Sequence, residues 1–147
     1  MRFRAATIED IRGMPDESQP MLTEDTTGIV AEDEKGVQAI CVLDSWTRSA
    51  CQIHIWIANP FVLKHGFAEE VFGFVFDSGR SKIIGLTPAN NEKALKFIKN
   101  IGFEEVFRIE DGYDVGIDYV MTEITKDRCK FYGRQKAVRR KPKLRAI

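Results

Sequence analysis

Residues 51–58 alternate strictly between apolar and polar positions. Ile53, Ile55 and Ile57 fall on one side, and Gln52, His54 and Trp56 on the other. A period of two predicts a strand with one face in a core and the other bordering a cleft. Apolar runs at 28–33 and 37–44 flank Glu34-Lys35-Gly36 and predict a hairpin. Residues 2–6 predict a first strand and 8–12 a short helix; 13–27, with Pro15 and Pro20, reads as loop. Past Pro60 the period changes. Phe67, Val71, Phe74 and Val75 recur at helical spacing, predicting a helix over 66–77 closed by Gly79. Residues 82–87 return to strand. Ala94, Phe97, Ile98 and Ile101 mark a second long helix, capped by Asn90 or Asn91 and ended by Gly102. Strands at 103–109 and 115–124 close the chain around a turn at Asp111-Gly112. The strand–helix–strand order forces a crossover, so 51–58 and 82–87 are expected to lie parallel. The expected fold class is α+β, a mixed central sheet with helices on both faces.

The chain's 147 residues, 44% of them hydrophobic, suffice for one domain with a core. No apolar run approaches the roughly 20 residues of a membrane span. The opening Met1-Arg2-Phe3-Arg4 lacks the apolar stretch of a secretory leader. The three cysteines are too few, and odd in number, for a disulfide framework. A reduced, cytoplasmic protein is expected. Cys41 and Cys51 lie in apolar strands and are assigned to the core. Cys129, beside basic residues, is expected to be a mildly activated thiol. No Cys or His spacing suggests a metal site, and Asp111, Asp114 and Asp118 do not match a calcium loop, so no metal is expected. The net charge of zero conceals an asymmetry. Residues 126–147 carry ten basic side chains and one acid, a net +9, which leaves −9 on residues 1–125. The domain is expected over 1–132, with 133–147 a flexible basic tail suited to weak nucleic-acid contact.

The junction after residue 58 carries the first chemical signal. Pro60 through Ala68 leaves a strand and enters a helix, whose first N–H groups are unpaired and carry partial positive charge. Gly66 permits close backbone approach, and Lys64 and His65 add cationic character, which together suit a pyrophosphate. A glycine two before an alanine is by itself a weak motif. The second signal is the segment Thr87 to Phe103. Its Asn91, Ala94, Phe97-Ile98 and Gly102-Phe103 resemble, without a gap, a signature of the GNAT N-acetyltransferases. Pro60, Gly66 and Ala68 then resemble that family's phosphate loop, in the family's order and separation. The resemblance extends from about residue 52 to 109. The chain's brevity also resembles GNAT-like proteins of tailed bacteriophages.

This resemblance implies the GNAT acyl-CoA acyltransferase fold and acetyl-CoA as cosubstrate. It implies that pantetheine lies along Ile57, Ala58 and Asn59, that the pyrophosphate sits on the N–H groups of Lys64, His65, Gly66, Phe67 and Ala68, and that Asn91 and Phe97 flank the thiol end. An acceptor amine, on a small molecule or a protein, attacks the thioester directly. His54 stands six residues before Pro60, where members often place a glutamate base, and histidine titrates near neutral pH. Two positions depart from the pattern. Leu63 stands where the loop usually has Arg or Gln. Ile98 stands where many members carry a tyrosine acid. The alternative reading is a catalytically silent GNAT-fold protein whose basic tail contacts nucleic acid or a partner. A homodimer is compatible with either.

Overall fold

The computed structural model describes residues 1–15 and 20–135. In chain order these form β1 (Arg2–Ala5), α1 (Ile8–Arg12), β2 (Thr27–Asp33), β3 (Gly36–Asp44) and β4 (Ala50–Ile57). A 3-10 segment (Pro60–His65), α2 (Phe67–Asp77), β5 (Lys82–Pro88) and α3 (Glu92–Ile101) follow. The chain then continues through β6 (Glu104–Asp114), β7 (Ile117–Thr125) and α4 (Lys130–Gln135). The strands make one seven-stranded sheet in the order β1-β2-β3-β4-β5-β7-β6. Pairing is antiparallel everywhere except between β4 and β5, which run parallel as the crossover through α2 requires.

The two faces of the sheet are covered unequally. On one, α2 and α3 pack against Cys41, Leu43, Cys51, Ile53, Ile83 and Ile124 to form the main core. On the other, Ile11 and Met14 cover Val30, Ile40 and Val42. The helix α1 has only five residues, too few to persist without fixed ends. It has them: Thr7 and Asp10 form a reciprocal capping box, and Arg4 Nη1 donates to Asp10 Oδ2 at 2.7 Å. That bond to Arg4 chiefly holds the Asp10 carboxyl down, from the ordinary 3.8 to about 2. A depressed carboxyl contributes stability that is complete above its ordinary range and is lost as pH falls towards 2. Asp10→Asn should therefore lower stability by roughly 1–2 kcal/mol near neutrality. In urea titrations the gap between the two proteins should narrow as pH falls from 4 to 2.

Four features depart from the expectations. The helix α2 buries Phe72 and Phe76 most completely, whereas Phe74, on the expected stripe, is only partly buried. The cause is α4, which adds a second partner: Phe131 meets Phe72, Tyr132 meets Phe76, and Tyr132 Oη donates to Asp77 at 2.7 Å. The helix continues to Gln135, past the expected boundary at 132. The rest of the expected tail, from residue 136, lies outside the described residues. The last hairpin turns at Val115-Gly116, not at Asp111-Gly112. Asp111 instead takes a left-handed conformation (φ 52°) inside β6, where the register to β7 shifts. Finally, Cys129 is buried, and desolvation pushes its thiol up, the reverse of activation. Cys41 and Cys51 are core residues, as expected, and burial pushes the Cys51 thiol up to about 12.

Candidate functional site

The parallel seam between β4 and β5 is short. Ala50, Cys51 and Gln52 pair with Lys82, Ile83 and Ile84, and there the pairing stops. From Ile53 to Ile57 the strand is held only by β3, while β5 from Gly85 to Pro88 pairs only with β7. The two strands part and leave a gap within the sheet. The Ala58 N–H donates to Gln38 O at 2.9 Å, so Trp56 and His54 share its hydrogen-bonding direction towards β3. By alternation the N–H and C=O groups of Ile55 and Ile57 point into the gap. Ile53, Ile55, Ile57, Leu63, Phe67 and Phe97 line an apolar slot beside it, on the side covered by α2 and α3.

At the mouth of the slot the chain turns through the 3-10 segment. Asn59 caps that segment, its Oδ1 accepting from Phe61 N–H at 3.0 Å, with Pro60 at the first position. Gly66 then takes φ +93°, a left-handed conformation that reverses the chain into α2. A β-carbon there would meet nothing closer than Phe3 at 4.0 Å. The requirement at Gly66 is therefore backbone conformation, and the space beside it is open. No side chain caps α2. Its first-turn carboxylates, Glu69 and Glu70, share the positive end of the helix with any bound anion. Lys64 and His65 are exposed at this corner, and the Lys64 ammonium lies 5.2 Å from the centre of the Phe61 ring.

The remaining expected positions are distributed around this gap. Phe97 joins the slot lining. Asn91 caps α3, its Oδ1 accepting from Ala94 N–H at 3.1 Å, so it fixes the helix that carries Phe97. Asn59 acts as a cap, and the Ala58 amide is engaged with β3. Of the three strand residues assigned to pantetheine, Ile57 thus has its backbone free towards the gap. Ile55, which sequence reasoning did not select, joins it. The signal was present in the alternation itself, since two residues of one strand share an edge direction.

His54 lies two residues beyond the last β4–β5 pair, where the gap opens, and its side chain is on the face opposite the slot. The side chain is 26% exposed. Its Nε2 is 3.0 Å from Oδ2 of Asp44, on β3. The register sets Val42 against His54 and Asp44 against Gln52, which makes Asp44 a diagonal neighbour on the same face. Asp44 is 6% exposed, and its Oδ1 has no hydrogen-bond partner among the described residues. The sequence reading missed Asp44 because the pairing depends on the register of the β3–β4 connection. The acidic residues of the last hairpin have a local role: Asp111 Oδ1 accepts from Gly116 N–H at 2.8 Å, and Asp118 Oδ1 from Asp111 N–H at 3.2 Å. No helix among the described residues is long and apolar enough to cross a membrane.

No protein-family model and no curated protein sequence matches the chain. Solved structures do. A Desulfovibrio desulfuricans protein assigned to the GNAT acetyltransferase family superposes with a TM-score of 0.61 at 15% identity, covering 69% of each chain. An F149A mutant of the spermidine N-acetyltransferase SpeG from Vibrio cholerae superposes with a TM-score of 0.62 at 18% identity, over 92% of this chain and 99% of that one. An N-acetyltransferase from Staphylococcus aureus Mu50 gives 0.56 at 14% identity, over 68% and 67%. At such identities the likeness is one of fold. With its mixed seven-stranded sheet, its helices on both faces and its parted β4 and β5, the chain has the GNAT acyl-CoA acyltransferase fold.

Proposed function

We propose that the protein is an N-acetyltransferase that moves an acetyl group from acetyl-CoA to an amine by direct attack. The observation that carries this reading is the parting of β4 and β5, with unpaired backbone on its edge, an apolar slot beside it and an uncapped helix start at its mouth. Ile55 and Ile57 supply N–H and C=O groups for an extended amide chain such as pantetheine. The α2 N-terminus, from Gly66 to Ala68, with Lys64 and His65, supplies donors and positive charge for the pyrophosphate. Phe97 and Leu63 exclude water from the thiol end. His54 takes the amine proton. The N–C bond forms as His54 takes the N–H proton, and the thioester C–S bond breaks, so that CoA leaves as its thiolate. A thiol titrates near 8.5, so the departing thiolate needs no obligatory acid, consistent with Ile98 in place of a tyrosine.

The acceptor belongs to the cationic amines on this reading. Residues 1–125 carry −9 and 126–135, through α4, add +3, so the domain as far as α4 carries a net −6, which favours cations. SpeG, one of the structural neighbours, is by name a spermidine acetyltransferase, which makes polyamines the first compounds for an amine screen. A phage association gains no support from these neighbours.

The test compares Gly66→Asp with Gly66→Asn. Both residues tolerate a left-handed backbone and differ chiefly in charge. Gly66→Asn should keep most of the acetyl-CoA affinity in calorimetry, and Gly66→Asp should lose at least roughly tenfold. Equal affinities would remove this corner from the site. CoA binding without acetylation of any amine would favour the silent GNAT-fold protein, whose basic C-terminal segment contacts nucleic acid or a partner.

A further inference from the structure

The pairing of His54 with a buried carboxylate goes beyond a candidate base. A carboxylate is an acceptor only, so a neutral imidazole beside it must carry its proton on the nitrogen that faces it. That nitrogen is Nε2, 3.0 Å from Asp44 Oδ2. The lone pair is then on Nδ1, for which no partner exists among the described residues. Asp44 is held in place by burial on β3, and its position on the face of His54 follows from the strand register. A charge buried to this degree is costly unless something offsets it, and here the neighbour that can offset it is the His54 ring, above all when protonated.

We propose that Asp44 is the positioning residue of the site: it fixes His54 in the Nε2–H form and thereby makes Nδ1 the atom that accepts the amine proton. When Nδ1 takes that proton the ring becomes an imidazolium paired with Asp44, and the buried carboxylate gains its counter-charge during the step that needs it. The proposal rests on the acetyltransferase reading for its catalytic half. Its structural half, the tautomer, is independent of activity.

The experiment has two arms. The chain contains two histidines, so in a His65→Asn background a long-range proton–nitrogen correlation spectrum reports on the His54 ring alone. Neutral His54 should be in the Nε2–H form, and Asp44→Leu, which removes the acceptor, should release it to a mixture. The Nδ1–H form in the otherwise native protein would overturn the proposal. In the kinetic arm Asp44→Asn keeps the shape and removes the charge. It should lower kcat by roughly 10–10³-fold while leaving the KM for acetyl-CoA unchanged. If Asp44→Asn and Asp44→Leu both fold and turn over at the wild-type rate while His54→Ala is slow, Asp44 has no positioning role. If His54→Ala also turns over normally, the base assignment falls and takes the kinetic half with it, and the spectrum alone decides whether Asp44 sets the tautomer.

Discussion

Replacing His54 by alanine should lower kcat by about 10²–10⁴ and leave acetyl-CoA affinity nearly unchanged. The split follows from the geometry. The groups proposed to hold the cofactor lie on the gap edge of β4 and at the start of α2, whereas the imidazole lies on the other face of β4 and touches Asp44. An ammonium must lose a proton before it attacks, and the imidazole can accept one only in its neutral form, on the nitrogen that carries no hydrogen. The wild-type rate should therefore rise with pH through a limb that is absent in His54→Ala. Thiol release with an identified acceptor measures both quantities. A His54→Ala protein at the wild-type rate would return the proton to water.

The largest stability effect is expected at Phe72. The ring is 2% exposed and sits among Phe76, Phe103 and Phe131, with centroids 6.3, 6.4 and 5.8 Å away. It joins α2 to the segment after α3 and to α4 at once, so no single neighbour can collapse into the space it leaves. Phe72→Ala should cost about 3–5 kcal/mol, out of a total of roughly 5–15 kcal/mol for a domain. Urea unfolding should show this as a lower midpoint. Phe131→Ala, at the partly exposed end of the same cluster, should cost less. Equal losses at the two positions would mean that α4 is as central to the core as α2.

Much of the fold was legible because its signals are local. Strict alternation over Ile53, Ile55 and Ile57 identified β4, and Asn91 and Gly102 bounded α3 to within a residue. What escaped depended on distant partners. Phe72 and Phe76 could be placed in the core only once Phe131 and Tyr132 were known to fold back on α2, and a strongly basic neighbourhood concealed that helix. The last hairpin misled for a different reason. Asp111-Gly112 and Val115-Gly116 are competing turn signals, and pairing of Asp114 with Ile117 selected the second. At the proposed site, the turn into α2 was visible in Pro60 and Gly66. Asp44 was invisible, since its only sign is a diagonal across two strands.

The parted strands also bear on solubility. A row of free N–H and C=O groups on a strand edge is a template for any passing chain, and exposed edges invite aggregation. Here the free row at Ile55 and Ile57 is recessed inside the sheet, with β5 beyond it and α2 and α3 over one face, so only a slender extended molecule reaches it. Of the two outer edges, β1 and β6, the longer, β6, is almost wholly exposed and carries many charges: Glu104, Glu105, Arg108, Glu110, Asp111 and Asp114 lie along it. Five carboxylates against one arginine give this strand a net negative charge that opposes a second copy, although Val106, Phe107 and Tyr113 are also exposed along it, and the kink at Asp111 would break the register of such a pair. The fold thus recesses one free strand edge within the sheet and sets like charge along the exposed edge of β6.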